Sequence, residues 1–363
     1  MRVLFHLVSG QNSQVYIMSR FYKPAVNVLF YTESTRKNLP ALREVLKNST
    51  VKEVLIHPFK YPKIRKVLRL TILENKVPGA EVIFNITGGT KIQSIAMYEA
   101  ARENNSISAY LNSEVHNIIE LGDEEPVQHI VSDLDIAPAE YLLANGQKTK
   151  QSISTVSQYS EELIAVFSEH FKEFSKFALD FAASHYNLNS LPVSRVWEKG
   201  RTKGTKYEFK KGAFNLKLML DGEILFEATE SPAHPLMEDL AGMWIEKASY
   251  YIIKESKTFS NPALNTKIVY ADERDKNEFD ILAMYGTDLC LFECKSGGIK
   301  AADIDQLVAL KKMLGSYTRL FIISFFSPTS AMRERMAESN ITWLPFQSLK
   351  SELEKISSYN ANV

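Results

Sequence analysis

The sequence predicts an α/β protein whose two ends are built differently, and three observations predict it. Residues 1–120 alternate strand-like apolar runs with helix-like segments, the pattern of βαβ units and a mainly parallel sheet. Residues 277–298 read as a hairpin whose apolar arms carry charge where a buried strand should not. The order around that hairpin is helix, strands bearing carboxylates, helix, strand. A chain of 363 residues exceeds what one core usually fills. The expected division is 1–140, a helical and basic connector over 141–229, and 230–363.

In the N-terminal part the expected strands are Val3–Val8, Val26–Tyr31, Val51–His57 and Glu81–Thr87, with helices at Pro40–Asn48, Tyr61–Asn75 and Lys91–Asn104. Ligands of such sheets bind beyond the carboxyl ends of the strands. Two polar turns lie at such ends: Ser9-Gly10-Gln11-Asn12-Ser13, and Asn85-Ile86-Thr87-Gly88-Gly89-Thr90-Lys91. The second has the ingredients of an anion cradle: glycines that admit close approach, a helix start with unpaired N–H groups, and Thr and Lys donors. Its spacing fits neither a Walker A loop nor G-x-G-x-x-G. A glycine turn required by sterics alone is the other reading.

Ser106–Leu121 adds strands containing Tyr110, Asn112 and His116. His116 reads as a satisfied strand or surface residue, because no second metal ligand stands at the right spacing. Asp133–Pro138 begins a linker, and Gly146–Ser157, rich in Lys and Ser, marks a boundary.

Ser160–Ala183 is a helix with Leu163, Ile164, Val166, Phe167, Phe171, Phe174, Phe177 and Phe181 on a helical period, which makes the stripe core or interface. Arg195, Lys199, Arg201, Lys203, Lys206, Lys210, Lys211 and Lys217 follow, against only Glu198 and Glu208. Such a cluster can track phosphates, with Arg201, Lys203 and Lys206 at its centre; a solvated basic loop is the alternative. Asp221-Gly222 joins two strands, Ala213–Leu220 and Glu223–Ala228, as a hairpin.

In the C-terminal part, Leu236–Lys254 is a helix bearing Glu246, followed by a strand at Lys267–Tyr270 and then the charged hairpin. Side chains alternate along a strand, so Glu293 and Lys295 share a face and Cys294 points away. Asp280 in the partner arm reaches the same edge. Two carboxylates and an ammonium make poor core and a good site for Mg²⁺ or Mn²⁺, hard cations that take oxygen ligands. The lysine can orient an attacking water and stabilise developing negative charge. Asp303–Leu314 and Thr329–Ser339 read as helices, Arg319–Ser324 and Ile341–Pro345 as strands. His57 and His234 each precede a proline, which suits turns.

Apolar content of 45% and charged content of 24% are those of a folded soluble protein. No apolar run approaches the roughly 18–20 residues of a membrane span, and the N-terminal apolar stretch is too short for a signal peptide, so a cytoplasmic protein is expected. Cys290 and Cys294, the two cysteines, fall about 13 Å apart on one strand, too far for a disulfide. Zero net charge argues against an overall basic nucleic-acid binder and leaves room for a local groove.

Asn277-Glu278-Phe279-Asp280 followed by Glu293-Cys294-Lys295 resembles the PD-(D/E)xK nuclease core, without the family's proline before Asp280. Met243-Trp244-Ile245-Glu246 resembles that family's first-helix glutamate, and Gln306 stands where many members carry a polar residue. The N-terminal sheet with its Asn-Ile-Thr-Gly-Gly-Thr-Lys turn resembles a CARF domain, the Rossmann-like sensor of CRISPR-associated proteins. Together the ends resemble the CRISPR ancillary nucleases activated by cyclic oligoadenylate.

The resemblance implies a Rossmann-like CARF domain followed by a restriction-endonuclease-like αβββαβ domain. It implies a homodimer with cyclic tetra-adenylate on its two-fold axis, and a metal-dependent endonuclease cutting DNA, RNA or both in type III antiviral defence. Carried over by position, Ser9, Gly10, Gln11 and Asn12 match the first ligand loop, and Thr87, Gly88, Gly89, Thr90 and Lys91 the second. Asp280, Glu293 and Glu246 match the metal ligands, and Lys295 completes the catalytic set. The alternative is a ligand-sensing protein that holds nucleic acid without cutting it.

Overall fold

Along the first strand, Val3, Phe5 and Leu7 face one apolar cluster and Leu4 faces another, so the strand is buried on both sides as a central parallel strand must be. The computed structural model describes the chain apart from residues 76–78, 123–124, 152–156, 186–193, 271–273, 316 and 360–363. The N-terminal strands are β1 (Arg2–Leu7), β2 (Val26–Tyr31), β3 (Thr50–Leu55), β4 (Glu81–Asn85), β5 (Ile107–Asn112), β6 (Asn117–Leu121) and β7 (Val127–Ile130). They form one seven-stranded sheet in the order 3-2-1-4-5-6-7. The first five are parallel, and β6 and β7 return antiparallel. Helices α1 (Ser13–Tyr22), α2 (Leu39–Val45), α3 (Tyr61–Asn75) and α4 (Lys91–Glu103) connect them. Residues of α1 and α2 join the Leu4 cluster, and those of α3 and α4 the Phe5 cluster.

Helix α1 has no counterpart among the helices expected from sequence. Val15, Tyr16, Ile17 and Met18 are all buried, so the periodic apolar stripe that signals a surface helix is missing.

Where a linker was expected, α5 (Pro138–Ala144) packs on α1 and α2. Strand β8 (Lys148–Gln151) then pairs antiparallel with β13 (Ser260–Val269) of the last sheet. Residues 152–156 of the expected boundary lie outside the described residues. Helix α6 (Ser160–His185) buries Leu163, Phe167, Phe171, Phe174, Phe177 and Phe181. It packs on a four-stranded antiparallel sheet of β9 (Ser194–Val196), β10 (Lys206–Lys210), β11 (Ala213–Leu220) and β12 (Glu223–Glu230). The turn between β11 and β12 has φ 49° at Asp221 and 89° at Gly222, as a two-residue hairpin turn of right twist requires.

The helix expected over Leu236–Lys254 is two pieces, α7 (His234–Glu238) and α8 (Trp244–Ser256), separated by a π-turn at Asp239–Met243. Gly242 sits there at φ 148°, a conformation a side chain would oppose. The last sheet continues through β14 (Asp275–Tyr285), β15 (Asp288–Lys295), α9 (Ala301–Leu314), β16 (Arg319–Ser324), α10 (Ser330–Glu338) and β17 (Ile341–Pro345), and the chain's final described helix is α11 (Leu349–Tyr359). Its strand order is 17-16-15-14-13-8. From α8 to β16 this is the αβββαβ arrangement. No described helix is long and apolar enough to cross a membrane.

Candidate functional site

The β14–β15 ladder runs from Tyr285–Asp288 at the turn to Ile281–Phe292. Asp280 lies just past its last rung, where its Oδ2 accepts the backbone N–H of Cys294 at 2.7 Å. On the same edge Lys295 Nζ donates to Glu293 Oε1 at 2.6 Å. Two strands therefore deliver Asp280, Glu293 and Lys295 to one spot because the register sets all three. Cys294 points the other way into the apolar cluster; both cysteines are free and buried.

Electrostatics tie these groups to Glu246. Burial, reinforced by Asp280 and Glu293, holds the Glu246 carboxyl well above its ordinary value. Burial and then Glu293 push Asp280 up to about 7, against the backbone hydrogen bond from Cys294 and the charge of Lys295, which lower it. Burial pulls the Lys295 ammonium down, but Glu293, Asp280 and Asp303 outweigh it and the net shift is upward. Excess negative charge thus sits in a partly desolvated place, the electrostatic signature of a functional site.

Glu246 occupies the first turn of α8, whose neighbours are anchored from below. Lys247 Nζ reaches Asp239 Oδ1 at 2.5 Å and Ser160 Oγ at 3.1 Å, and Ser160 donates to Asp239. All three are buried, and they tie the π-turn and α8 to α6. Trp244 and Ile245 are buried beside them, so the phase of α8, and with it Glu246, is set.

Among the described residues no three carboxylate, imidazole or thiolate side chains converge into a ready-made metal cage. The donor chemistry fits a cation that keeps much of its own water, with one or two protein carboxylates in its shell. Asp280 and Glu293 are the two carboxylates whose chemistry fits such a shell, and Glu246 is close enough to feel their charge.

At the other end, the carboxyl ends of β1 and β4 place Ser9–Asn12 and Thr87–Lys91 beside each other. A Cβ on Gly88 would lie 2.5 Å from Leu7 O, and one on Gly89 2.9 Å from the Leu7 side chain. Packing against β1 therefore requires both glycines. Thr90 caps α4, accepting from Gln93 N at 3.2 Å while Gln93 Oε1 accepts from Thr90 N at 2.9 Å. Thr87 Oγ1 accepts from Leu111 N at 2.8 Å. Lys91, Gly10 and Gln11 are exposed. The Asn12 side chain is turned inward instead, bonded to Ser9 N and Ser9 O, so it shapes the loop rather than lining its surface. Beneath the loops His6, Gln14, Asn27 and Asn85 form a buried hydrogen-bonded network, and burial holds His6 down at about 4.

Of the basic stretch, Lys203 and Lys206 are exposed. Arg201 is already neutralised, its guanidinium reaching Asp221 at 2.6 Å and Glu173 at 3.6 Å. Lys217 pairs with Glu227 at 3.5 Å. Gln306 is exposed on α9, and the residue of that helix facing the site is Asp303, 3.6 Å from Lys295.

Two contacts between the ends had no legible signal. His116, at φ 50° in the β5–β6 turn, is buried against Gly286 and Thr287 at the tip of the β14–β15 hairpin. Gln11 approaches Gly315 after α9, its Oε1 3.6 Å from where a Cβ would stand.

Residues 3–141 match the model of the Card1 CARF domain, and residues 237–355 that of the Card1-like endonuclease domain. The chain joins a Card1-type CARF domain to a Card1-like endonuclease domain. Among solved structures it is similar to Can2 from Sulfobacillus thermosulfidooxidans in complex with cyclic tetra-adenylate, with TM-score 0.77 and 18% identity, over 98% of this chain and 99% of that one. It is also similar to protein VC1899 from Vibrio cholerae, with TM-score 0.75 and 16% identity, over 99% and 98% of the two chains. A type III CRISPR defence DNA nuclease activated by cyclic oligoadenylate matches with TM-score 0.61 and 15% identity, over 98% of this chain and 52% of that one. No curated protein matches the chain. The chain therefore shares with these structures a fold that runs its whole length.

Proposed function

We propose that this chain is a metal-dependent endonuclease, cutting DNA, RNA or both, that is switched on by a cyclic oligoadenylate in type III CRISPR antiviral defence. The observation that carries the reading is the meeting of Asp280, Glu293 and Lys295 at the end of β14–β15, beside Glu246. Asp280 and Glu293, with Glu246 near, would hold Mg²⁺ or Mn²⁺. Such an ion polarises a phosphate and lowers the pKa of bound water. Lys295 supplies positive charge for the phosphate and orients the attacking water.

At the sensor, Ser9–Gln11, Thr87–Gly89, Thr90 at the cap of α4 and exposed Lys91 offer N–H groups, hydroxyls and an ammonium to a polyanion, with Asn12 bracing the first loop. Two copies in a homodimer would present a symmetric pocket to a symmetric ring, and cyclic tetra-adenylate is the ligand of the similar Can2. Lys203 and Lys206 would follow the nucleic-acid backbone, with Arg201 held aside by Asp221.

The test incubates the full chain with labelled single- and double-stranded DNA and RNA, with and without cyclic tetra-adenylate and Mn²⁺. Cleavage only with both additions is expected, and Asp280→Ala or Glu293→Ala should abolish it while ligand binding survives. Binding of nucleic acid with no cleavage in any condition would overturn the reading.

A further inference from the structure

We infer that Asp303 is a positioning residue for Lys295 in the cleavage reaction. The inference rests on the nuclease reading and adds a residue to it. Lys295 Nζ stands between two carboxylates, Glu293 Oε1 at 2.6 Å and Asp303 Oδ1 at 3.6 Å. Glu293 shares its strand, whereas Asp303 comes from the first turn of α9, so the ammonium bridges strand to helix. The Asp303 carboxylate is itself oriented. Its Oδ2 accepts the backbone N–H of Lys300 at 2.7 Å, and its own N–H donates to Lys300 O at 3.1 Å. A carboxylate at this position stabilises a helix start, which accounts for one oxygen. The other oxygen faces Lys295 from a side chain only 19% exposed.

The arrangement matters once a cation takes Glu293. The lone pairs that now receive the lysine would then face the ion, and two positive charges a few ångströms apart repel. A lysine on a flexible four-carbon stem would swing to solvent or compete with the ion for Glu293. Asp303 offers it a second partner, fixed on α9 rather than on the strand of Glu293, so the ammonium stays beside the cleavage site while the carboxylate is released. Asp280 also acts on Lys295, but it is the second carboxylate that the ion would take. Asp305 is turned to Arg335 at 2.5 Å, and Gln306 is exposed and uncharged.

Asp303→Asn keeps an oxygen for the Lys300 N–H and removes the charge; Asp303→Glu restores the charge. Two readouts are taken on the full chain: calorimetric binding of Mn²⁺ alone, and steady-state cleavage of labelled nucleic acid at saturating cyclic tetra-adenylate. Asp303→Asn is expected to weaken Mn²⁺ about tenfold and lower kcat about tenfold, the usual scale for a group one shell behind a metal ligand. KM for nucleic acid and the melting midpoint should stay unchanged, and Asp303→Glu should recover part of both losses. In a Lys295→Ala background Asp303→Asn should add nothing, because its effect runs through the ammonium. Wild-type Mn²⁺ affinity and kcat in Asp303→Asn would overturn the inference alone, as would equal losses with and without Lys295. An unaltered protein that cleaves nothing would overturn the nuclease reading and this inference with it.

Discussion

The backbone N–H of Thr287 donates to Nδ1 of His116 across 3.2 Å, joining the tip of the β14–β15 hairpin to the β5–β6 turn of the CARF domain. Thr287 Oγ1 lies 3.0 Å from the same nitrogen. The fit is close, since a Cβ on Gly286 would stand 2.6 Å from the imidazole ring. Tyr285 packs edge-on against that ring at 5.5 Å, and Arg319 reaches from Asp288 at 2.8 Å toward the far ring nitrogen at 3.4 Å. Burial, with Arg319 adding, holds the imidazole down at about 4, so it is neutral near pH 7. The other end of the same hairpin carries Asp280, Glu293 and Lys295.

A displacement of this turn would therefore act on the strands that carry the proposed cleavage site. His116→Ala should leave the affinity for cyclic tetra-adenylate within about twofold. It should lower the cleavage rate at saturating ligand by about five- to tenfold, the lower range of allosteric couplings. Cleavage titrated against ligand, beside direct ligand binding, checks this. Superimposable activation curves would remove the contact from the switch.

The charge at the hairpin's open end sets a pH dependence. Asp280 is raised from 3.8 to about 7, so the folded state holds a proton that the unfolded state has released. Its contribution to stability is present below about pH 4 and is lost as pH rises through about 7. A divalent cation bound at these carboxylates would remove that loss, and protons would compete with it at low pH. Mn²⁺ should thus raise the melting temperature more at pH 8 than at pH 5.5, and Asp280→Asn should flatten the difference. Thermal unfolding at the two pH values, with and without Mn²⁺, measures it; equal shifts would count against an ion at Asp280.

Beneath Glu246, Asp239 and Lys247 are a buried ion pair with Ser160 as third member. Removing one partner leaves a buried charge unpaired, at a cost of about 3–5 kcal/mol. Asp239→Ala should lose that much in denaturant unfolding, and the double change Asp239→Leu with Lys247→Met should recover most of it. A loss under about 1 kcal/mol would mean that Lys247 finds another partner or water.

On the basic stretch, Lys203 and Lys206 are exposed while Arg201 is bound to Asp221 and Glu173. Lys203→Ala with Lys206→Ala should weaken nucleic-acid binding and lower the salt slope by about one per lysine. Arg201→Ala should change little. Affinity measured across a salt series decides it, and an unchanged slope in the double variant would return the stretch to a solvated surface.

What the sequence by itself determined is what short-range periodicity can write. Alternation along β15 was enough to put Glu293 and Lys295 on one face and Cys294 on the other, and the Asp221-Gly222 pair was enough to turn a hairpin. The stripe from Leu163 to Phe181 marked a core face before its partners were known. Tertiary structure decided the rest, wherever the deciding neighbour is distant in the chain. Helix α1 is buried nearly all round, so no stripe betrays it. The break before α8 depends on a left-handed glycine and on a salt link to α6. Arg201 looked like a free cation until Asp221 folded against it. His116 had no partner in its own stretch because its partner, Thr287, is 171 residues away, and a contact across that distance leaves no pattern in either segment until the two sheets are packed together.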